Sequence, residues 1–173
     1  MTDEAERSSA VRFEELYRRF APGGLRLAFL LTGDRAAAED LVHDAFVRVV
    51  GRLGHLRTGI AFDAYLRTTI VNLIKNRWRH RAVVHGYSER QPPPAPIPSA
   101  EVSIVEHDVV WRAVLELPIQ QRTAIVLRFY EDLPVDDIAS VMRCRPGTAR
   151  SLVSRGMASL RSQLERSIDA ERS

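Results

Sequence analysis

The chain has a single cysteine, Cys144, among its 173 residues. One thiol cannot form a disulfide framework or a cysteine-rich metal site within the chain, a usage typical of a reducing cytosol. Long apolar runs are also missing, because the longest, Leu27 to Leu31, falls far short of the roughly 20 residues that a membrane-spanning helix needs. The amino terminus is polar and acidic, unlike a signal peptide. We therefore expect a cytoplasmic protein without direct membrane insertion.

The sequence also lacks the marks of catalysis. Its five histidines are scattered without the spacing of metal ligands, and no glycine-rich phosphate loop or nucleophile motif occurs. We expect no enzymatic activity, no cofactor, no metal and no small-molecule substrate. A composition of 45% apolar and 27% charged residues indicates a globular protein rather than a disordered chain.

Acidic residues are absent from two long stretches that are rich in positive charge. Between Ile138 and Leu164 there are five arginines and no carboxylate, and between Ala64 and Ser88 there are five lysines or arginines and no carboxylate. Acidic residues cluster instead from Asp34 to Asp44. This distribution is more informative than the net charge of +3. It predicts two surfaces for a polyanion such as DNA and one acidic surface for a different partner.

The segment from 117 to 164 predicts a helix-turn-helix around a short break at Met142 to Pro146. Ala139 supplies the small residue that two steeply crossed helices need, and Pro146 suits a first helical position. The outer face of the second helix is then the candidate DNA reader. Its residues, with one in the turn, are Arg145, Thr148, Arg150, Ser151, Ser154 and Arg155. The buried contacts are Ile138, Met142, Ala149 and Leu152. A plain helical bundle with a solvated basic face would give a similar local pattern.

Five of the seven residues from 92 to 98 are prolines, a composition that no helix or central strand tolerates. Proline-rich segments are semi-rigid spacers, so this one predicts a linker between two domains. We predict an all-α protein with two small helical domains, at 10–81 and 106–166, joined by a proline-rich linker at 82–105.

The first half has the periodicity of four helices. An amphipathic stripe from Phe13 to Phe20 predicts a helix that ends at residues 22–24, and a second helix follows at about 25–32. Asp34 is a plausible N-cap for a third helix, which Gly54 would close. The predicted buried stripe of that third helix is Leu41, Val42, Ala45, Val49 and Leu53. Phe46 in the same helix suits either the core or an apolar anchor in an interface.

The fourth helix, at about 62–81, divides into two faces. Its predicted core stripe is Leu66, Ile70, Leu73, Ile74 and Trp78. The opposite arc is Tyr65, Thr68, Thr69, Asn72, Lys75, Asn76 and Arg79. Hydroxyls, amides, an aromatic ring and positive charges without a carboxylate can pair with phosphates and base edges. A solvated polar face is the alternative.

Three segments, at 30–49, 62–81 and 117–161, together resemble a known family: the extracytoplasmic-function (ECF) sigma factors of bacterial RNA polymerase, and more closely their actinobacterial, SigE-like subgroup. The resemblance covers nearly the whole chain and preserves the order of the family's motifs. It implies that 10–81 is a sigma region 2 helical bundle and that 106–166 is a region 4 helix-turn-helix.

The resemblance also implies partners: core RNA polymerase, promoter DNA and an anti-sigma factor. The opposite arc of the fourth helix looks like the reader of the minus-ten element, the loop at 56–61 like the place that captures a flipped base, and the helix from Pro146 like the reader of the minus-thirty-five duplex. The segment at 39–49 looks like the polymerase-docking helix. The docking residues that it implies are Asp40, Leu41, Asp44, Phe46 and Arg48.

Two positions depart from the family pattern. Arg143 stands in the turn where the family often has glycine, which requires either a left-handed residue or a reshaped turn. Val50 replaces the tryptophan of a usual Val-Trp pair. We expect no further domain after Ser173.

Two other function classes have to be weighed against a sigma factor. A stand-alone helix-turn-helix regulator would bind an operator by itself. A protein that merely occupies polymerase would support no initiation, and changing Asn72 and Lys75 would not affect what it does.

Overall fold

A computed structural model describes residues 2–51, 59–85 and 109–171. Within these ranges the chain forms helices and turns, and no strand occurs. The helices are α1 Thr2–Thr32, α2 Arg35–Val50, α3 Gly59–His85, α4 Val109–Leu115, α5 Ile119–Ile125, α6 Val135–Met142 and α7 Pro146–Glu171. The predicted all-α class is confirmed. Because α3 runs to His85, it includes the first residues of the predicted linker, and residues 86–105 lie outside the described ranges.

The predicted break between two short helices at Pro22 was wrong, because α1 is continuous through it. Proline inside a helix costs about 3 kcal/mol relative to alanine, so tertiary packing has to offset the cost. Gly24 is buried against α3, and a Cβ added there would lie 3.2 Å from Ile70 Cδ1. The glycine that suggested a helix end therefore permits a close approach of two helices instead.

Helix α2 begins as the sequence predicts. Asp34 is its N-cap, and the carboxylate accepts a hydrogen bond from the Ala37 N–H at 2.7 Å. The helix ends earlier than predicted, at Val50 with Gly51 as the C-cap, while Leu53 and Gly54 lie outside the described residues. The predicted stripe is otherwise buried, at Leu41, Val42, Ala45 and Val49.

Aromatic rings join the three helices of the first group, α1 to α3. Phe46 is only 1% exposed, and its ring centroid lies 4.8 Å from that of Tyr17 and 5.8 Å from that of Phe62. Phe46 is thus a core residue, which decides between the two alternatives that the sequence left open. The predicted core stripe of α3 is confirmed, with buried side chains at Leu66, Ile70, Leu73, Ile74 and Trp78.

The second group, α4 to α7, contains the helix-turn-helix. Helix α5 continues into a π-helical turn, Val126–Tyr130, in which the Glu131 N–H donates to the Val126 carbonyl at 3.1 Å. Asp132 then takes a left-handed conformation with φ 52° before α6 begins. The predicted contacts between α6 and α7 are confirmed, with buried side chains at Ile138, Ala139, Met142, Ala149 and Leu152.

A buried arginine holds the second group together and ties it to the first. Arg122 is 1% exposed, and its Nη2 donates to the carbonyls of Leu115 and Leu117, while its Nη1 donates to the Leu31 carbonyl at 2.8 Å. Burial lowers the pKa of Arg122 to about 10, still well above neutral pH, so the guanidinium stays charged. Leu31 lies at the end of α1, where the negative end of the helix dipole favours a cation.

The two groups therefore pack against each other. Phe29 of α1 stacks on Trp111 of α4, with ring centroids 5.3 Å apart and planes 19° apart. Apolar residues of both groups belong to one continuous cluster of buried side chains. Among the helices that the structure describes, none has the length and apolar character needed to span a bilayer.

Gly156 supplies a first prediction, on the packing of α7 against α5. A Cβ at this position would lie 2.7 Å from Ile125 Cγ1, closer than side chains tolerate. We expect Gly156→Ala to lower the free energy of unfolding by about 1–3 kcal/mol, measured by urea denaturation. The control is Gly147→Ala in the same helix, where nothing lies within 4 Å of the added Cβ and stability should rise slightly. Equal stability of the two variants would contradict this account of the packing.

Candidate nucleic-acid interface

The first candidate surface is the outer face of α7, called the α7 basic face below. Its predicted residues, Arg145, Thr148, Arg150, Ser151, Ser154 and Arg155, are all exposed. The helix starts at Pro146 as predicted, and Ala149 and Leu152 fix its opposite side in the core. The beginning of α7, with the residue before it, therefore presents arginine and hydroxyl groups to solvent, as the recognition helix of a helix-turn-helix does.

The turn that precedes α7 has a defined conformation. Arg143 is left-handed, with φ 52° and ψ 52°, so the first of the two possibilities at this position is the one found. The Cys144 N–H donates to the Ala139 carbonyl at 2.9 Å and the Arg143 N–H to the Ser140 carbonyl at 3.2 Å, the pattern of a Schellman C-cap. The turn keeps its shape with arginine in place of glycine, because two hydrogen bonds close the end of α6.

The second candidate surface is the predicted polar arc of α3, called the α3 polar face below: Tyr65, Thr68, Thr69, Asn72, Lys75, Asn76 and Arg79. Thr68 and Thr69 donate from their hydroxyls to carbonyls four residues earlier, at 2.9 and 2.8 Å, and Asn72 Nδ2 donates to the Thr68 carbonyl at 2.8 Å. These donors are thus used within the helix, which leaves hydroxyl and amide oxygens to accept hydrogen bonds from outside. The oxygens on this surface can accept hydrogen bonds from the amino groups and ring N–H groups of exposed bases.

A cavity of about 400 Å³ opens on the α3 polar face. Two guanidinium groups line it together with hydroxyls, amides and one aromatic ring, and none of its lining residues is acidic. The lining residues are Arg48, Tyr65, Thr68, Thr69, Asn72, Leu73, Asn76 and Arg143. Five residues predicted from the polar arc of α3 are thus brought together in one place, next to one residue from α2 and one from the turn after α6.

The three charged docking residues predicted in α2 lie in three different environments. Asp40 is exposed, and Asp44 is half-buried with its Oδ2 2.5 Å from Arg77 Nη2. Arg48, predicted to contact polymerase, is exposed and lines the α3 cavity. The acidic end of the helix and its basic end therefore face different surroundings.

Leu41 and Phe46, predicted to contact polymerase, are buried in the core at 0% and 1% exposure. Their burial has a simple cause, because the i, i+4 spacing that puts Leu41 and Ala45 on the core side brings Phe46 next to them. Val47, 61% exposed and next to Arg48, is the large apolar residue of this helix that faces solvent, and the sequence pattern alone did not identify it. An apolar residue outside the buried stripe was the signal that could have identified it.

The first half of the predicted base-capturing loop, 56–58, lies outside the described residues, and the second half, from Gly59, belongs to α3. Among the side chains that the structure describes, no group of histidine, cysteine or carboxylate residues is arranged to hold a metal ion.

Family models match both helical groups. The model for sigma-70 region 2 matches residues 16–83, and the model for sigma-70 region 4 matches residues 107–160. Two helical groups with these two regions in this order define a sigma factor of the sigma-70 type.

Similarity to individual known proteins shows to which group of sigma factors the chain belongs. The RNA polymerase sigma-E factor of Streptomyces avermitilis is 31% identical over 161 residues, which covers 92% of this chain and 89% of the relative. The RNA polymerase sigma-H factor of Pseudomonas aeruginosa is 26% identical over 185 residues, with 95% and 92% covered. The ECF sigma factor SigE of Mycolicibacterium smegmatis is 31% identical over 163 residues, with 88% and 61% covered. The chain belongs to the ECF sigma factors, which direct promoter-specific transcription initiation.

A solved structure supports the fold. The sigma factor RpoE of Bartonella quintana, crystallised with the anti-sigma factor NepR, matches with a TM-score of 0.69 at 24% identity, covering 89% of this chain and 97% of that one. At this level of identity the match concerns the helical fold alone.

Arg143 supplies a second prediction. Arg143→Gly should be more stable than Arg143→Ala by about 1 kcal/mol, because both lose the guanidinium but only glycine adopts the left-handed conformation without a Cβ penalty. Urea denaturation of the two variants measures the difference. At Ser140, inside α6, the same comparison should favour alanine. Equal stability of Arg143→Gly and Arg143→Ala would contradict a left-handed residue in the turn.

Proposed function

We propose that the chain divides promoter recognition between its two helical groups while core RNA polymerase holds both. The observation that carries this proposal is the cavity on the α3 polar face, where guanidinium, hydroxyl and amide groups meet without a carboxylate. In this proposal region 2, at 10–81, captures the melted minus-ten strand. Region 4, at 106–166, reads the minus-thirty-five duplex, and the linker at 82–105 spans the distance between them.

The α3 polar face is proposed to take an unstacked base of the melted strand. Flipping a base out of a duplex costs a few kcal/mol, so a pocket that offers stacking and hydrogen bonds both lowers the cost of opening and reads sequence. Tyr65 supplies a ring for stacking, Asn72 and Asn76 supply amides for base edges, and Thr68 supplies a hydroxyl. Lys75 and Arg79 provide positive charge for the phosphates.

The α7 basic face is proposed to read the major groove of the minus-thirty-five element. Arg145 precedes the first turn of α7, where a helix N-terminus also favours a phosphate. Arg150 and Arg155 provide charge along the exposed face, and Thr148, Ser151 and Ser154 provide hydroxyls that bind bases or phosphates.

Core polymerase is proposed to bind the exposed side of α2. Asp40 and Val47 are exposed there, and Asp44 adds a carboxylate at the edge. Leu41 and Phe46 contribute by fixing the helix in the core rather than by contact. Arg48 contacts either polymerase or the strand in the adjacent cavity.

The remaining partners follow from the family. We propose that an anti-sigma factor regulates the chain, that the protein acts in the cytoplasm with polymerase, and that the chemistry of RNA synthesis belongs entirely to polymerase.

A run-off transcription assay with and without core enzyme tests the whole proposal. A sigma factor gives promoter-specific transcripts only with core, whereas a stand-alone helix-turn-helix regulator binds duplex DNA tightly and specifically by itself.

A third prediction concerns the strand reader. The double variant Asn72→Ala with Arg79→Ala should lower promoter-specific transcripts from the holoenzyme about tenfold, corresponding to about 1.4 kcal/mol of lost strand binding. A promoter template with a pre-melted minus-ten segment should be affected as well, because the strand contact itself is lost. Arg26→Ala, which removes one exposed positive charge from α1, is the control and should transcribe normally. Normal transcription by the double variant would exclude this face as the reader.

A fourth prediction concerns the duplex reader. For holoenzyme bound to a promoter fragment, log affinity decreases linearly with log salt concentration. When Arg150 and Arg155 are both changed to Ala, this dependence should become shallower by about 2 in slope, because each phosphate contact contributes about 0.9. The slope is measured by filter binding over a salt series. Arg166→Ala, at an exposed arginine in the last part of the same helix, is the control and should leave the slope unchanged. An unchanged slope in the double variant would mean that this face makes no phosphate contact.

A further inference from the structure

Arg48 lies in the last turn of α2, the helix proposed to bind polymerase, and yet it lines the cavity on the α3 polar face. Every residue that lines this cavity, apart from Arg143, belongs to α2 or α3. The packing of these two helices within region 2 therefore places Arg48 beside Asn72 and Asn76, and this placement does not require the turn after α6.

The carboxylate that would be expected to pair with Arg48 is engaged elsewhere. Asp44 precedes Arg48 by four residues, the spacing at which an acidic and a basic side chain on one helix pair. Its Oδ2 instead lies 2.5 Å from Nη2 of Arg77 on α3. In the part of the chain that the structure describes, Arg48 forms no ion pair, so its guanidinium is available to a ligand in the cavity.

The acidic residue of α3 is engaged as well. Asp63 Oδ2 lies 2.9 Å from Arg67 Nη2, and Nε of the same arginine lies 2.6 Å from Glu131 Oε2. Neither carboxylate lines the cavity. A guanidinium beside hydroxyl and amide groups, with no carboxylate in the cavity wall, suits a phosphodiester, which it can bind through two parallel hydrogen bonds.

We propose that Arg48 belongs to the strand reader rather than to the polymerase-docking surface, and that Arg77 positions it by holding Asp44. The ligand of Arg48 is a phosphate of the melted minus-ten strand, next to the base that enters the cavity. Without Arg77, Asp44 pairs with Arg48 and draws its guanidinium away from the strand. The inference rests on the proposed role of the α3 polar face, and it gives the two ends of α2 different partners.

Affinity for core polymerase separates a docking role of Arg48 from a strand-binding role. The Kd of the full chain for core enzyme is measured by fluorescence anisotropy with a fluorophore at the amino terminus. We expect Arg48→Ala to stay within about twofold of the parent, as the control Arg26→Ala should. Binding to core that is weaker by about tenfold would assign Arg48 to the docking surface and overturn the inference.

Strand binding is measured with preassembled holoenzymes, at saturating core, on a promoter fragment whose minus-ten segment is pre-melted. Each phosphate contact to a single strand contributes about 0.7 to the slope of log affinity against log salt concentration. We expect Arg48→Ala to make the slope shallower by about 0.7. Arg77→Ala should have nearly the same effect, although Arg77 does not line the cavity. The parent slope in Arg48→Ala overturns its strand contact, and the parent slope in Arg77→Ala overturns the positioning.

Two further variants test whether Arg77 acts through Asp44. Arg77→Lys keeps a cation beside Asp44 and should retain the parent slope. Asp44→Asn added to Arg77→Ala removes the carboxylate that would capture Arg48, so it should restore the parent slope. A slope that stays shallow in this double variant means that Arg77 contacts a phosphate itself, which overturns its positioning role.

The double variant Asn72→Ala with Arg79→Ala, measured on the same fragment, separates failure of this inference from failure of the strand reader. Weaker binding by that variant, together with the parent slope in Arg48→Ala, overturns the assignment of Arg48 and leaves the strand reader in place. Unchanged binding by both variants overturns the strand reader and the inference with it.

Discussion

The charge of Arg122 is the constraint on which the arrangement of the helices depends. A buried guanidinium is tolerated only where several acceptors converge on it, and here carbonyls from Leu31, Leu115 and Leu117 do so. Those carbonyls belong to the end of α1, the end of α4 and the segment that leads into α5. One side chain thereby fixes where three helical segments meet, and it does so across the boundary between region 2 and region 4.

The same boundary explains why the two faces proposed to bind DNA are not independent in this structure. Docking of α5 on α1 brings the end of α6 to the middle of α3, where Lys75 meets its last carbonyl. Apolar packing at Phe29 and Trp111 supports the same orientation. Water and phosphate can replace the polar contacts at such a boundary, whereas separation of a purely apolar boundary of equal area would lose its hydrophobic stabilisation.

Features of the fold with a local physical cause could be predicted from the sequence, whereas features that depend on distant residues could not. The core stripe of α3, the N-cap at Asp34 and the start of α7 at Pro146 follow from spacing and local chemistry, and all were predicted correctly. The continuity of α1 through Pro22 was not predictable, because it depends on the packing of Gly24 against Ile70. The burial of Phe46, the exposure of Val47 and the pairing of Glu131 with Arg67 likewise depend on distant neighbours. The candidate site was therefore predictable as faces of single helices but not as a cavity shared by three elements.

Because of the π-helical turn at Val126–Tyr130, the orientation of the segment that follows depends on the number of residues in the turn rather than on their type. Each residue of an α-helix advances the direction of the side chains by about 100°, and a π-helical turn accommodates one residue more than an α-helical turn. That one additional residue therefore sets the direction in which the chain after Tyr130 points relative to α5. Its loss would rotate the following segment by roughly a quarter turn or more, so relatives that differ in length here should differ in how their two halves meet even where every contacting side chain is the same.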